Sequence, residues 1–358
     1  MIQRLIYDPE VTQAIVEHAH KEKIPENVAF EQARRYAREI VPGFSATAYF
    51  SVGIRLARWL SKSLYRIKLG TFDRKRLEQI DPDAAVVFVI NHRSNMDYVL
   101  VTYLAAERSA LSYAVGEWAR VWPLSRLIRA MGAYFIRRRS RGELYRRVLA
   151  RYVALATEGG VTQAVFPEGG LSLDGALAKP KLGILRYIVD GYDAEECDVV
   201  FIPVAINYDR VFEDKILVAA GQRGDRRFGA RISVVVKYIW RITWRWATGR
   251  YHRFGYAAVS FGAPLSLRAF AGTKPPLTED LASDLMQRIG AVVPVLPVPL
   301  AASVFLSAKA PLSFAEYSEA FCAVIEAMPE AHIHAPREDM DYAVEYGLRN
   351  LVARGFVN

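Results

Sequence analysis

Cysteine is nearly absent: Cys197 and Cys322 are the only two in 358 residues. They share no metal-type spacing with the histidines and build no disulfide framework, which fits a reducing compartment. Long apolar runs are also scarce. The best candidate for a membrane span, IGAVVPVLPVPLAASVFL at 289–306, contains Pro294, Pro297 and Pro299. Those prolines interrupt backbone hydrogen bonds that lipid cannot replace, so a buried, proline-broken connection or core helix is expected there. Charges break the apolar run of the first twenty residues (MIQRLIYDPEVTQAIVEHAH), and no signal peptide is expected. Internal repeats and low-complexity tracts are missing as well. What the chain does have is positive charge: 47 Lys and Arg against 38 Asp and Glu, for a net +9. That surplus points to an anionic partner such as phosphate, acidic lipid or nucleic acid. With 52% hydrophobic and 24% charged residues the composition is globular, which excludes disordered and collagen-like classes.

Three regions follow from the patterning. Residues 1–75 read as helical up to about residue 70, and the stretch TAYFSVGIRLARWLSKSLYRIKLG carries Tyr49, Ile54, Leu56, Trp59 and Leu60 among Arg55, Arg58, Lys62, Arg66 and Lys68. Such a basic amphipathic helix either lies on an anionic membrane or packs on the next domain with its basic face in water. Residues 76–270 alternate short β-branched runs (84–90, 110–115, 133–137, 162–167, 198–208, 230–238 and 256–262) with helical segments. Alternation of this kind predicts an α/β fold with a largely parallel sheet flanked by helices. Residues 271–358 read as a C-terminal helical extension.

In parallel sheets chemistry collects at the carboxyl ends of strands, and His92, Arg137 and Glu168 all fall there. In VINHRSNMDYVL the pair His92 and Asp97 can meet if His92 occupies the strand-to-helix turn and Asp97 the first helical turn. Asp97 would then accept the Nδ1 proton and leave Nε2 as a base. In GAYFIRRRSRGELYRR the guanidiniums of Arg137 and Arg138 suit bidentate binding of phosphate, and strand alternation sends the two in opposite directions. In FPEGGLSLDGALAKPKLG two glycines after Glu168 let the backbone turn tightly and approach a ligand, with Lys179 and Lys181 close by. FIPVAIN, at 201–207, is a buried strand with Pro203. Each motif alone has a plain structural explanation: a satisfied core histidine with an unrelated cap, a solvated basic face, a tight turn.

Their order and spacing, however, resemble the four blocks of the glycerolipid acyltransferase superfamily, closest to the bacterial glycerol-3-phosphate acyltransferase branch. HRSNMDYVLV and GAYFIRR are similar to the first two blocks, FPEGG and IPV to the third and fourth, and VSFGAPLSL to the segment that ends the catalytic domain. The likeness runs from about residue 35 to about 310. It implies that His92 deprotonates the acceptor hydroxyl, with Asp97 orienting it. Arg138, or Arg137, would hold the acceptor phosphate. Glu168, Gly169, Gly170, Ser172 and Lys181 would line the acceptor site, and Pro203 would shape a substrate pocket. The implied reaction is alcohol attack on an acyl thioester, from coenzyme A or acyl carrier protein, with no covalent acyl-enzyme, no metal and no further cofactor.

One departure matters. The third block of the family commonly reads Glu-Gly-Gly-Arg-Ser-Arg, with arginines that help bind the acceptor phosphate, and this chain has Leu171 and Leu173 in those places. Arg137, Arg138, Lys179 and Lys181 are candidate substitutes, and a lysophospholipid or another lipid alcohol is the alternative acceptor. Trp240, Trp244 and Trp246 among Arg241, Arg245, Arg250 and Arg253 suit a bilayer interface or, alternatively, a domain edge covered by its own helices. The expected place of action is the cytoplasmic membrane face, peripherally bound, or the cytoplasm. A non-catalytic basic protein binding lipid or nucleic acid is the competing class, but no nucleic-acid motif is present and no nucleic-acid partner is expected.

Overall fold

The computed structural model describes residues 1–105, 111–116, 124–136, 142–193, 195, 197–223, 244, 248, 253–272 and 278–358. The chain starts with α1 (Ile2–Ile6), α2 (Pro9–Glu22) and α3 (Glu26–Ile40). Asp8 caps α2 by accepting the Glu10 N–H at 3.1 Å, and Pro9 occupies the first helical position, where its missing N–H costs nothing. Ala29, Ala33, Ala37 and Ile40 form a buried stripe at helical spacing along α3, narrow enough for close packing.

A π-helical stretch, Ala48–Gly53, leads into α4 (Ile54–Leu64). Here the chain departs from the expected helix. Tyr65 is extended, and Arg66–Leu69 forms strand β1, parallel to a strand near residue 256. Ile67 is partly buried, whereas Arg66, Lys68 and Leu69 are exposed; among the described residues β1 has one hydrogen-bonded neighbour and lies at the edge of the sheet.

The remaining elements alternate: α5 (Arg74–Glu78), β2 (Ala85–Ile90), α6 (Met96–Ala105), β3 (Ser112–Gly116), α7 (Leu124–Ala130), β4 (Ala133–Ile136), α8 (Glu143–Glu158), β5 (Gln163–Val165), α9 (Gly183–Asp190), β6 (Val199–Tyr208), α10 (Asp214–Arg223), β7 (Tyr256–Phe261) and β8 (Leu265–Ser266). Among the described residues the strands build an eight-stranded sheet in the order β1-β7-β6-β2-β5-β3-β4, with β8 pairing β6. All pairs are parallel except β6 with β7 and β6 with β8. The expected largely parallel α/β sheet is therefore present. The strand expected at 230–238 lies outside the described residues.

Along β2 the side chains alternate between two cores, as the period of two requires. Ala85, Val87 and Val89 pack with α3, α8 and α9, whereas Phe88 and Ile90 pack with Leu100 and Val101 of α6. A helical layer therefore covers each face, which is why the strands read as continuous apolar runs.

The proline-rich stretch divides as expected. One helix ends at Ala291 and another, Pro297–Ser307, begins with Pro297 in its first turn, burying Leu300, Ala301 and Val304. This second helix crosses Met340–Val352 at Gly347, where an added Cβ would lie 2.7 Å from the Pro297 carbonyl oxygen. Among the described residues no helix is long and apolar enough to cross a membrane.

Candidate active site

The strands β6, β2 and β5 are neighbours, and β6 and β5 both run parallel to β2, so their carboxyl ends open on the same edge. Asn91 marks the end of β2. Its amide donates to the Ile206 carbonyl at 3.0 Å and accepts the Ile206 N–H at 2.7 Å, so the side chain extends the ladder while the backbone turns away. That substitution leaves His92 in the turn between β2 and α6.

Nδ1 of His92 donates to Oδ2 of Asp97 at 2.9 Å. The same oxygen accepts the backbone N–H groups of Arg93 at 2.7 Å and Ser94 at 2.9 Å, while Oδ1 accepts the Tyr208 hydroxyl at 2.6 Å. All four are bonds a carboxylate accepts. Asp97 is fully buried and lies in the first turn of α6, where the helix dipole favours a negative charge. Burial and the Asp97 charge push the Tyr208 phenol well above its ordinary pKa, so it remains a donor. With Nδ1 committed, Nε2 is the nitrogen left to accept a proton. It lies 3.4 Å from the Tyr98 hydroxyl, and the imidazole rests against Phe166 with ring centroids 4.5 Å apart.

Glu168 follows β5 and is buried, but its carboxylate is spent on the backbone. Oε1 accepts the His92 N–H at 2.8 Å and Oε2 the Ala178 N–H at 3.0 Å. Its observed role is thus to bind the 168–178 loop to the His92 turn. The loop returns the contact, since the Ser172 N–H donates to the His92 carbonyl at 2.8 Å. Ser172 Oγ donates to the Ala176 carbonyl at 2.9 Å and accepts the Gly175 N–H at 2.9 Å, shaping the loop. Gly169 has φ +63°, and an added Cβ would meet Lys181 Cδ at 2.6 Å, so the exposed lysine stretches across it. Gly170 continues the same turn, partly buried.

A second carboxylate braces the turn from the other side. Glu213 Oε2 accepts the Ser94 hydroxyl at 2.7 Å, and Oε1 accepts both the backbone N–H and the side-chain amide of Asn95 at 3.1 and 3.0 Å. Burial pushes its pKa up, against the pull of these donors.

The structure therefore brings His92, Asp97, Glu168 and Ser172 into one hydrogen-bonded group and sets Lys181 along the Gly169 turn. Pro203 is not part of that group. It is buried in β6, its carbonyl accepting the Gly262 N–H at 2.8 Å, at the gap where β7 gives way to β8 and no ladder donor is needed from it. Arg137 and Arg138 lie outside the described residues. Tyr208, Glu213 and Asn91 are members that sequence reasoning did not single out. Tyr208 carries a signal, as the last residue of the fourth motif's strand; Glu213 carries none.

The chain is similar to known proteins in three comparisons. The acyltransferase family profile matches residues 72–207. The chain is 30% identical over 281 residues to the glycerol-3-phosphate acyltransferase of Pseudomonas entomophila (strain L48), a match covering 77% of this chain and 32% of that protein. The glycerol-3-phosphate acyltransferase of Pseudomonas putida (strain W619) is 31% identical with the same coverage. The chain thus spans about a third of the length of the curated relatives it matches. Among solved structures it is similar to the 1-acyl-sn-glycerophosphate (LPA) acyltransferase PlsC from Thermotoga maritima, at a TM-score of 0.40 and 20% identity over 67% of this chain and 76% of that one.

Proposed function

We propose that the chain is a member of the glycerolipid acyltransferase superfamily and transfers a fatty acyl group from an acyl thioester to the hydroxyl of glycerol 3-phosphate, in phospholipid synthesis; the acyltransferase profile over residues 72–207 and the likeness to glycerol-3-phosphate acyltransferases support this reading. The observation that carries this reading is the 2.9 Å bond between His92 Nδ1 and Asp97 Oδ2 at the carboxyl end of β2, which leaves Nε2 as the base. Nε2 takes the proton of the acceptor hydroxyl as its oxygen attacks the thioester carbonyl carbon. The C–S bond then breaks, and the departing thiolate takes the proton back from the imidazolium. No acyl-enzyme forms. The Tyr98 hydroxyl lies 3.4 Å from Nε2, so an acceptor oxygen that reaches the base must take its place. General-base assistance contributes roughly 10²- to 10⁴-fold, and positioning of the two substrates supplies the rest.

Docking at the cytoplasmic face of an anionic membrane belongs to the same proposal. Along the π-helical stretch and α4, Gly53, Ala57, Ser61 and Leu64 face the protein, while Phe50, Val52, Leu56 and Trp59 are exposed beside Arg55, Arg58 and Lys62. Exposed large apolar side chains interleaved with cations support the reading of an interfacial helix. Trp244 is also exposed; Trp240 and Trp246 lie outside the described residues.

Leu171 and Leu173 favour a second reading, in which the acceptor is a lysophospholipid or another lipid alcohol. Thiol release from an acyl thioester, measured across glycerol 3-phosphate, lysophosphatidate and glycerol, separates the two. Turnover with glycerol 3-phosphate supports the first; turnover with the lysolipid alone supports the second. In either case His92→Ala is expected to abolish thiol release while far-UV circular dichroism stays unchanged. Retained activity in that variant would end the general-base mechanism.

A further inference from the structure

Arg93 follows the proposed base directly, and its side chain crosses to the 168–178 loop. Nη1 lies 2.9 Å from where a Cβ on Gly175 would stand. Gly175 has φ +85°, a left-handed conformation that other residues resist, and its lack of a Cβ leaves room for Nη1 beside the loop. That proximity is fixed, because Ser172 and Glu168 bind the loop to the His92 turn.

The group is partly buried, and loss of water pulls its pKa below the ordinary arginine value, against the fields of Glu168, Asp97 and Asp174. Nearby acids hold the cation in place but leave its donors unspent. Both oxygens of Glu168 accept backbone N–H groups, both oxygens of Asp97 are occupied, and Asp174 Oδ1 accepts the Ala176 N–H at 2.9 Å. Among the described residues Arg93 forms no side-chain hydrogen bond and no ion pair. A partly buried guanidinium whose donors are not taken by the protein is free to meet an anion from the open side, and its planar fork fits two phosphate oxygens at once.

We propose that Arg93 binds the phosphate monoester of the acyl acceptor, next to the residue that deprotonates its hydroxyl. This rests on the acyltransferase reading given above. It also accounts for a third-motif loop that presents Leu171 and Leu173 and no arginine, since the cation reaches the loop from the neighbouring turn.

The test uses the full chain with Arg93→Gln and Arg93→Lys, read by calorimetric titration with glycerol 3-phosphate and by steady-state kinetics. Arg93→Gln is expected to weaken glycerol 3-phosphate binding, and to raise its KM, at least ~10-fold. Its KM for the acyl thioester should change less than ~2-fold, within the scatter of surface substitutions. Arg93→Lys keeps the charge and loses the fork, so it should fall between; it also decides the matter if the glutamine variant does not fold. Unchanged acceptor binding in the folded variants overturns the proposal. So does a raised KM for the thioester alone, which would assign the guanidinium to phosphates of the donor. If the wild type binds glycerol 3-phosphate but never acylates it, the activity reading fails while the titration still decides Arg93. A wild type that binds no phosphate monoester overturns both.

Discussion

The Tyr208 hydroxyl donates to Asp97 Oδ1 at 2.6 Å, joining the last residue of β6 to the first turn of α6. The bond fills the one oxygen of Asp97 that His92 and the turn backbone leave over. Tyr208 is a positioning residue: it touches the carboxylate that orients the base and no reacting atom. Tyr208→Phe leaves a buried carboxylate oxygen without its donor, at a cost of about 1–3 kcal/mol in stability. A kcat lower by roughly tenfold, with both KM values unchanged, is expected for a lost orientation of this size. An unaltered kcat in a measurably less stable variant would show the bond to be structural only.

Glu213 invites a sharper comparison, because amide and alkyl replacements separate its roles. Glu213→Gln can still accept from Asn95 and can donate to Ser94, whereas Glu213→Ala leaves Ser94 and Asn95 unsatisfied at a buried turn. The alanine variant should lose roughly 10-fold or more in kcat while the glutamine variant stays within a few-fold. Equal losses in the two would mean that charge, and not the hydrogen-bond pattern, is what the turn needs.

Phe50→Ser and Trp59→Ser together remove two exposed rings from the proposed docking face. Each is worth about 2 kcal/mol of burial in a bilayer interface, so the double variant should sediment with anionic vesicles at least ~10-fold less. Turnover of a short-chain thioester in detergent-free buffer should stay at the wild-type level, since neither ring belongs to the His92 group. Equal sedimentation of the two proteins would remove this helix from the membrane reading.

How much of this was legible beforehand depends on how local the chemistry is. His92 and Asp97 lie within one turn, so motif and geometry coincide. The sheet was legible too, because strands buried on both faces become apolar runs. Glu168 was found by position but not by role: that it accepts the His92 N–H depends on β5 lying beside β2, which no local pattern states. Tyr208 and Glu213 stand 111 and 119 residues from their partners, and only the fold joins them. Strand β1 was missed for a different reason. Among the described residues its four residues sit on an edge with one neighbour, and the strong helical period before it carries straight through Leu64.

Asp209 follows Tyr208 and supplies a prediction on stability with the sign fixed by its surroundings. Its carboxylate accepts the Tyr256 N–H at 2.8 Å and the Val298 N–H at 3.3 Å, linking β7 to the helix Pro297–Ser307. Burial outweighs these donors and pushes its pKa from 3.8 up to about 6. A carboxyl that holds its proton more tightly when folded contributes stability that is full below about pH 4 and is lost as pH rises through about 6. Asp209→Asn has no proton to lose. Its cost from the altered contact with Val298 is the same at every pH, so the slope isolates the titration. Between about pH 4.5 and 7 the unfolding free energy of the wild type should therefore fall by about 2 kcal/mol relative to the variant, as read by urea melts at each pH. Parallel curves would mean that the Tyr256 and Val298 donors hold the group near its unfolded value, and that the junction between β6 and the C-terminal helices is insensitive to pH.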